Sequence, residues 1–446
     1  MKIKQMGLGT TRLQNINEQF PAQDILIQSG QLLQFGTGIY AYNNIPLEVK
    51  KNIENIIKEE LNKSGCIEIS LPTLQPTSLW KESGRFEKYT SDGTMMTVNN
   101  DDYCLAPTAE EAVVAFARNK MKSYKDLPVI VYQIGEKYRN EIRTRGYLLR
   151  GKSFPMMDAY SFAKDEEGLV EAYNIMRDAY LALFKRLGLE VIPVAADNGA
   201  IGGKKSEEFM MLSDIGEDTI LFDDTTKQAF NKEILDREDH VEYLKNEYGI
   251  TDLSSLQPKK AVELGHIFQL GTKYSETMKN AKFVDENSNE KPYCMGCYGI
   301  GVSRALAIVY EKSIINDVNG KPTGIALPTN IAPYILQIIS KGDNELKNAE
   351  AQKLYEVLSS HNVKTILDDR IDSKMGAKIK DAKVLGTPYI GLLGEKTNPG
   401  EIEIENARTG AKAVVSQEEL AKKLIEFEKE RIGNTDIRLE DYIKFN

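Results

Sequence analysis

Two arginine-containing motifs, far apart in the chain, constrain its fold most strongly. The first is the segment 137–141, Lys-Tyr-Arg-Asn-Glu, in which Arg139 precedes Glu141. The second is the segment 298–304, Tyr-Gly-Ile-Gly-Val-Ser-Arg, which ends at Arg304. A guanidinium can bind two phosphate oxygens at once, and a nearby carboxylate can accept from an adenine amine or a substrate ammonium. The first motif therefore suits a bound nucleoside triphosphate, and the second adds a fixed positive charge beside glycines that allow close backbone approach.

Hydropathy and composition exclude several classes of protein. The chain has 446 residues, of which 41% are hydrophobic and 28% charged, which is ordinary for a globular protein with two or three domains. No run of about 18 apolar residues exists, so we expect no membrane span. The first residues lack an apolar signal segment, and the four cysteines are too few for a disulfide scaffold. We therefore expect a cytoplasmic protein.

The net charge of −9 argues against indiscriminate binding of nucleic acid, which usually requires a basic protein. Two local basic segments, 137–152 and 364–383, nevertheless allow contact with an RNA partner. Charge runs are more often solvated surfaces, so these segments matter only together with the motifs.

The first part of the chain combines helices with bunched strands. Apolar residues recur at helical spacing over 46–62, and the alternating segment 66–72 predicts a strand that ends at a proline. A further helix is predicted over 166–187. Additional strands are predicted at 129–134, 154–162, 189–194, 219–222 and 261–270. This pattern favours an α+β domain over residues 1–326 with a mainly antiparallel sheet, interrupted by a polar insertion at about 223–260.

Two prolines, Pro328 and Pro333, mark a boundary, after which strands and helices alternate. The alternation predicts a smaller α/β domain with parallel strands over residues 333–430. The remaining segment, 431–446, is charged and shows no evident core face, so we expect a C-terminal tail.

Several segments resemble the bacterial-type prolyl-tRNA synthetases, a family of class II aminoacyl-tRNA synthetases. The two arginine motifs resemble motifs 2 and 3 of that class, and the helix and strand over 46–72 resemble motif 1, which implies a homodimer. The other matching segments are 80–85, 107–111, 158–162, 197–203, 265–275, 295–299, 368–370, 376–378 and 385–389. The resemblance thus implies a class II catalytic domain followed by an anticodon-binding domain.

The resemblance also implies an activity. The family activates L-proline with ATP to form prolyl-adenylate and then transfers the prolyl group to tRNA(Pro). Such a displacement depends on positioning and charge neutralisation and needs no side-chain nucleophile. This requirement agrees with a catalytic region that contains only two histidines, His240 and His266.

By resemblance, specific residues acquire expected roles toward ATP. Arg139 would bridge the substrate carboxylate and the α-phosphate, and Arg304 would hold the γ-phosphate. Glu141 would accept from the adenine amine, and Phe154 would stack on the base. Further expected ATP contacts are Arg150, Gln269 and Thr272. Magnesium is expected with ATP, and Glu263 is its candidate ligand.

Proline and tRNA have their own expected contacts. The imino group of proline carries two donors, so its pocket needs acceptors, which Thr108 and Glu110 would supply while His266 lines the ring. Thr108 and Glu111 also have the spacing of a helix capping box, and both roles can hold together. The residues expected to contact tRNA are Arg145, Arg370 and Lys378.

Bacterial members of the family often carry a large editing domain between motifs 2 and 3. Here the corresponding segment, 223–260, is too short for one, so we expect no hydrolysis of alanyl-tRNA(Pro) by this chain. Missing methylenes are worth only about 1–3 kcal/mol each, so a proline pocket rejects alanine weakly. We expect alanine to be misactivated and its product to be tolerated or removed by a separate trans-editing protein.

Three alternatives remain at this stage. Cys294 and Cys297 have the spacing of two zinc ligands, but no second Cys/His pair follows at suitable spacing, so we expect no zinc. A non-catalytic, RNA-binding accessory protein would be favoured by loss of the ATP-binding arginines, which are intact. A ligase for threonine or serine is the third; the threonyl enzymes bind zinc with a Cys/His/His trio that we do not find.

Overall fold

The computed structural model describes residues 1–7, 11–199 and 201–445. Ala200, which belongs to the family-like segment 197–203, lies outside the described residues, as does Asn446 at the end of the expected tail. Within these ranges no helix combines the length and the apolar character that crossing a membrane requires.

The helices are α1 (Pro21–Gln28), α2 (Asn44–Lys63), α3 (Thr77–Glu82), α4 (Phe86–Ser91), α5 (Glu110–Lys120), α6 (Glu166–Leu187), α7 (His240–Tyr248), α8 (Lys273–Thr277), α9 (Val302–Glu311), α10 (Glu345–Ser360), α11 (Met375–Leu385) and α12 (Gln417–Glu428). The strands of the first part are β1 (Leu32–Gly36), β2 (Ile39–Tyr42), β3 (Ile67–Glu68), β4 (Leu74–Pro76), β5 (Met96–Val98), β6 (Tyr103–Leu105), β7 (Val129–Tyr138), β8 (Ser153–Ala163), β9 (Ile192–Ala195), β10 (Lys205–Leu212), β11 (Asp218–Phe222), β12 (Ala229–Asn231), β13 (Gln257–Gly271), β14 (Lys282–Val284), β15 (Glu290–Pro292), β16 (Cys294–Gly301), β17 (Ile314–Asn316) and β18 (Pro322–Ile325). The second part contains β19 (Leu336–Ser340), β20 (Thr365–Asp368), β21 (Tyr389–Leu393), β22 (Glu401–Asn406) and β23 (Lys412–Ser416).

A large sheet, nine-stranded among the described residues, organises the first part. Its order is β10-β9-β12-β11-β13-β16-β8-β7-β3, and β10 also pairs with β13. Neighbouring strands run antiparallel, except that β12 pairs with β9 and β3 with β7 in parallel. This arrangement confirms the α+β prediction with a mainly antiparallel sheet.

Helices α2 and α6 cover one side of this sheet and follow the sequence pattern closely. The apolar stripe of α2, including Val49, Ile53 and Leu61, is fully buried in the main core. Helix α6 begins after Asp165, whose side chain accepts from the Gly168 amide, and ends before Gly188, which adopts a left-handed conformation. A carboxylate N-cap and a glycine C-cap are strong boundary signals, and they explain why the predicted bounds of α6 agree with the structure.

The strand expected over 66–72 is shorter than predicted. Only Ile67–Glu68 forms β3, and the Leu71 amide donates to the Gln133 side chain rather than to a neighbouring strand. Pro72 has no N–H to donate, so the ladder cannot continue through it.

The polar insertion at 223–260 is part of the sheet rather than a separate lobe. Its strand β12 lies between β9 and β11. Phe230 of β12 forms a small buried cluster with Ile234, Leu244 and Ile250. The segment is therefore anchored to the sheet that carries the motif-containing strands.

The second part of the chain is an α/β domain with a mixed sheet. In residues 336–416, all of which the structure describes, the order is β20-β19-β21-β22-β23. Strands β20, β19 and β21 are parallel, as predicted, whereas β22 and β23 form an antiparallel hairpin. The expectation of parallel strands alone missed this hairpin, although residues 401–406 alternate between glutamate and isoleucine in a strand-like pattern.

The segment 431–446 does have a core face, which corrects the expectation of a tail without one. Leu439 and Ile443 are buried in the core of the second domain. Arg431 is only 1% exposed and donates to the carbonyls of Thr329 and Ala332 at 2.7 and 2.6 Å. The apolar residues of this segment are irregularly spaced, so no helix or strand period revealed this packing.

Candidate active site

Both arginine motifs line one cleft, because β16 lies between β13 and β8 in the large sheet. The predicted site residues that line this cleft are Thr108, Glu110, Arg139, Glu141, Arg150, Phe154, Glu263, His266 and Arg304. Gln269, Thr272 and Arg145 are not among its lining residues. Strands distant in sequence thus bring nine of the predicted residues together.

One end of the cleft is built around a buried carboxylate, Glu110, at the start of α5. The Thr108 hydroxyl donates to Glu110 Oε2 at 2.7 Å, and Arg85 Nη1 lies 3.1 Å from the same oxygen. Arg85 Nη1 also lies 3.1 Å from Glu111 Oε1. Burial alone would raise the pKa of Glu110, but Arg85 and the Thr108 hydroxyl hold it below its usual range. This end of the cleft therefore carries an ionised acceptor.

Arg85 was not predicted as a site residue, although it closes the family-like segment 80–85. Its guanidinium lies 4.6 Å from the ring centre of Tyr89 and 5.1 Å from that of Trp80. Tyr274 lies on another side at 5.3 Å. Aromatic faces attract a guanidinium and exclude water, so Arg85 forms a fixed support beneath the carboxylate.

The capping box considered for α5 does not form. The N-cap residue is Ala109, no side chain caps the helix there, and the Thr108 hydroxyl is used by Glu110 instead. Thr108 is therefore bonded to a group of the cleft rather than to the helix end.

A second buried carboxylate, Asp158, was also missed by sequence reasoning. It accepts from Lys137 at 2.6 Å, from Gln133 at 2.9 Å and from the Tyr160 hydroxyl at 3.0 Å. The same hydroxyl accepts from the Ala109 amide at 3.1 Å. Asp158 and Tyr160 lie in the family-like segment 158–162, which was the available signal. Together these bonds fix the turn that presents Thr108.

Arg139 lines the cleft next to the turn that carries Thr108, and its guanidinium lies over an aromatic ring. Arg139 Nε donates to the Pro107 carbonyl at 3.3 Å, and its guanidinium lies 5.3 Å from the ring centre of Phe154. Both residues stand at the ends of the long hairpin β7–β8, where Lys137 pairs with Phe154 across the ladder. The hairpin thus holds a cation next to a flat apolar surface.

Arg304 is held at the start of α9 by contacts from one strand and from the loop that precedes β8. Its Nε donates to the Leu149 carbonyl at 3.0 Å, and its Nη1 forms an ion pair with Glu263. A Cβ at Gly301 would lie 3.3 Å from the Arg304 side chain, so glycine there gives the arginine its room. Burial acts to raise the pKa of Glu263, but Arg304 and His266 hold it well below its usual range.

His266 lies between carboxylates and an aromatic ring. Its ring stacks on Phe268 at 3.8 Å between centres. Its Nδ1 lies 3.4 Å from Glu263 Oε1 and 3.6 Å from Glu208 Oε1. In the described part of the chain, His266, Glu208 and Glu263 form a group whose ligand atoms all lie within 4.8 Å of one another. Mg²⁺ prefers ionised oxygen ligands, and the carboxylate of Glu263 is such a ligand.

The residues expected to bind tRNA, and Arg150, which was expected to contact ATP, lie in different settings. Arg150 Nη2 and Arg145 Nε lie 2.9 and 3.9 Å from Glu217, and both arginine side chains are about 40% exposed. Lys378 is 1% exposed, donates to the Ser340 carbonyl and sits inside the second domain. Direct contact between Lys378 and tRNA was therefore a wrong prediction, because a buried ammonium cannot reach a phosphate.

Arg370 is likewise held within the second domain. Its Nη2 lies 2.5 Å from Asp368 and its Nη1 lies 2.7 Å from Asp381. Two carboxylates pair with the guanidinium and join the end of β20 to α11, and contact of Arg370 with tRNA stays a prediction. The basic segment that included it was partly an internal ion-pair network.

The two cysteines with zinc-like spacing do not form a metal site among the described residues. Cys294 and Cys297 are both buried and unpaired on β16. Side chains three positions apart on a strand point to opposite faces, so their thiols diverge. Neither belongs to a described group with metal-binding geometry.

Comparisons with known families agree with this architecture. A family described as "tRNA synthetase class II core domain (G, H, P, S and T)" matches residues 89–313. A second family, described as "Anticodon binding domain", matches residues 335–427.

Curated relatives extend over nearly the whole chain. A proline–tRNA ligase of Ehrlichia chaffeensis is 40% identical over 411 residues, which cover 89% of this chain and 93% of the relative. A ligase of the same name from Rickettsia bellii is 38% identical, covering 88% of this chain and 91% of the relative. That of Sulfurimonas denitrificans is 36% identical and covers 91% and 95%, respectively.

A solved structure shares the fold at low sequence identity. The prolyl-tRNA synthetase of Cryptosporidium parvum, crystallised with L-proline and AMP, superposes with a TM-score of 0.71 at 14% identity. The match covers 95% of this chain and 78% of that one.

Proposed function

Because this chain belongs to the proline–tRNA ligases of the class II aminoacyl-tRNA synthetases, we propose that its cleft binds ATP and L-proline side by side. The chain joins L-proline to tRNA(Pro) through prolyl-adenylate. The observation that carries the assignment of the cleft is the convergence of Arg139 and Arg304 on one cavity that also holds the ionised Glu110.

Proline would bind at the Thr108–Glu110 end. Its secondary ammonium has two N–H donors, and the carboxylate of Glu110 with the hydroxyl of Thr108 supplies two acceptors. His266 and Phe268 offer a flat, apolar surface for the pyrrolidine ring. The carboxylate of proline would then face Arg139.

ATP would occupy the side bounded by Arg139, Phe154 and Arg304. Attack of the proline carboxylate oxygen on the α-phosphorus forms the acyl–phosphate bond and releases pyrophosphate. Arg139 neutralises charge that develops on the α-phosphate, and Arg304 holds the leaving pyrophosphate. The adenine would stack on Phe154 and donate from its amine to Glu141.

Mg²⁺ would be held by Glu263 together with phosphate oxygens of ATP, since the ion is usually bound by one or two carboxylates plus phosphates. When bound it neutralises phosphate charge. Glu263 also orients Arg304 through their ion pair, so the same carboxylate would contact both Mg²⁺ and the guanidinium. We also propose that Gln269 and Thr272, which lie outside the lining of the cleft, contact ATP when it is bound.

For the second step, the partly exposed Arg145 is suited to meet the acceptor end of tRNA(Pro) near the cleft. Arg150 lines the cleft itself and would contact ATP. The segment 223–260 forms one strand of the sheet with a small core, and we propose that this chain does not hydrolyse alanyl-tRNA(Pro). Removal of that product would fall to a separate trans-editing protein. A deacylase assay on purified alanyl-tRNA(Pro) tests this; efficient hydrolysis by the chain would overturn it.

A homodimer and a cytoplasmic location are further proposals. Exposed apolar side chains on the motif-1 region and the β1–β2 hairpin support the dimer, notably Phe35, Ile67 and Leu74, which are 77, 54 and 49% exposed. Four buried cysteines without disulfides support a reducing compartment. Sedimentation velocity gives the oligomeric state directly.

The decisive experiment is ATP–pyrophosphate exchange with proline, alanine, threonine and serine. Exchange dominated by proline, with a weaker alanine signal, is expected. No exchange with any of the four from a folded protein would instead favour a non-catalytic RNA-binding accessory protein. Exchange led by threonine or serine would point to a sister ligase.

Variants then test the assigned residues. Arg139→Ala or Arg304→Ala should reduce proline-dependent exchange at least about 100-fold, because each removes a cation placed for the transition state. Arg143→Ala is the matched control, since Arg143 is exposed and outside the cleft. Normal exchange in either of the first two variants would refute the assignment.

A further inference from the structure

The segment 223–260 supplies one side chain that reaches the wall behind the proline end of the cleft. Asn231, the last residue of β12, is 5% exposed. Its Nδ2 donates to Glu208 Oε2 at 2.8 Å, and its Oδ1 accepts from the Glu233 amide at 3.1 Å. With both ends of the amide bonded, the Asn231 side chain is fixed in one orientation.

Glu208 continues this connection to the cleft. It lies on β10 directly opposite His266 on β13, so the two side chains are cross-strand neighbours. Glu208 Oε1 lies 3.6 Å from His266 Nδ1. Phe268 stacks on the imidazole at 3.8 Å between ring centres. His266 and Phe268 line the cleft, whereas Glu208 and Asn231 lie behind it.

Besides Asn231, three titratable groups influence Glu208: His266, Glu263 and Asp218. Burial is the largest influence on the pKa of Glu208 and raises it; Glu263 and Asp218 act in the same direction, whereas His266 and Asn231 lower it. A buried carboxyl needs a hydrogen-bond donor to hold it in one orientation. Asn231 supplies that donor from a different element of the sheet.

We propose that Asn231 and Glu208 are positioning residues for proline recognition: Asn231 fixes Glu208, and Glu208 fixes the His266 ring against the pyrrolidine ring of the substrate. The inference rests on the proposed function, because it assumes that proline binds at the Thr108–Glu110 end. It assigns a task in synthesis to the segment 223–260, which lies where many relatives carry an editing domain.

The expected signature is selective for the amino acid. Loss of the Asn231 amide leaves Glu208 short of a donor, so the imidazole shifts in the wall that touches proline. A displaced wall weakens proline binding, whereas on the ATP side Glu263, the neighbour of His266, keeps its ion pair with Arg304. Discrimination against alanine should also fall, because a smaller substrate loses less from a misplaced wall.

The test uses the full chain in pyrophosphate exchange. Asn231→Ala and Glu208→Gln should each raise KM for proline about tenfold, equivalent to about 1.4 kcal/mol, while KM for ATP stays within about twofold. The proline-to-alanine ratio of kcat/KM should fall in both variants. Asn246→Ala, an exposed asparagine of the same segment, and Glu207→Gln, the neighbouring glutamate of β10, are the matched controls.

The outcomes separate the inference from the proposed function. Equal changes in the two KM values, unchanged KM for proline, or the same effect in the controls would overturn the positioning role while leaving the ligase assignment intact. Thermal unfolding of each variant identifies a general loss of folding, which would lower the maximal exchange rate and leave both KM values unchanged. Absence of proline-dependent exchange in the unmodified chain would overturn the proposed function and this inference with it.

Discussion

Replacing Arg85 by methionine tests how the buried carboxylates of the cleft are stabilised. Arg85 is 5% exposed and compensates two acidic side chains, Glu110 and Glu111, which are 1% and 0% exposed. Methionine keeps most of the volume and the contacts with the surrounding rings but removes the charge. The substitution therefore separates electrostatics from packing.

The structure gives the size of the effect. With N–O distances of 3.1 Å to both Glu110 and Glu111, each ion pair has a gross energy of about 5 kcal/mol at an effective dielectric constant of about 20. The desolvation of the three charged groups offsets much of this attraction. The expected effect of the substitution is therefore the cost of leaving two buried carboxylates without their cation, about 3–5 kcal/mol. We expect Arg85→Met to lose that much unfolding free energy at pH 8.

The loss should depend on pH in a defined direction. Burial raises the pKa of Glu111 already, and without Arg85 the pKa of Glu110 would rise as well. A carboxyl whose pKa is higher in the folded than in the unfolded state binds more protons when folded, so stability falls as pH rises. The variant should therefore recover stability as the pH is lowered from 8 toward the unfolded value of 4.5. In the unmodified chain Glu110, with its lowered pKa, contributes in the opposite direction.

Urea unfolding followed by tryptophan fluorescence suits this test, because Trp80 is the sole tryptophan and lies beside Arg85. The double variant Arg85→Met, Glu111→Gln should recover part of the loss, since it removes one uncompensated charge. A free energy of unfolding for Arg85→Met within about 1 kcal/mol of that of the unmodified chain, with no pH dependence, would refute the electrostatic argument.

Three further predictions concern other parts of the chain. Leu439→Ala should destabilise the second domain by about 2–4 kcal/mol in calorimetry, because it opens a cavity, whereas Leu346→Ala, 78% exposed, should not. Lys378→Ala should lower the thermal stability of the second domain and hence tRNA charging, with pyrophosphate exchange unchanged. Lys374→Ala, on the exposed side of the same helix start, is its control, and equal stability of the two variants would contradict a structural role. Glu263→Gln should raise the Mg²⁺ concentration needed for half-maximal exchange at least about tenfold, and an unchanged requirement would exclude Glu263 as a ligand.

Sequence reasoning succeeded where one local signal decides the structure. The stripe of α2 and the caps of α6 specify both helices, and the two arginine motifs identified the residues of the cleft because each carries its own chemistry. Resemblance to a family then supplied roles that no spacing could give.

It failed where a residue's partners come from distant segments. Arg85, Asp158 and Glu208 are functional candidates only because other helices and strands enclose them, and a charged residue in a sequence does not reveal whether it is buried. For the same reason Lys378 was predicted to be exposed and to contact tRNA, although it is buried. Burial of charges depends on tertiary pairing, which periodicity does not encode.

The strand order of the large sheet has a consequence for biosynthesis. Strand β8 pairs on one side with β7, its neighbour in sequence, but on the other with β16, which follows more than a hundred residues later. During translation the β7–β8 hairpin can form early, yet the cleft lacks the side chains of β16 until that strand leaves the ribosome. Such long-range pairing slows folding and leaves apolar strand surface uncovered. Nascent chains that stall before residue 301 should therefore depend most strongly on chaperones.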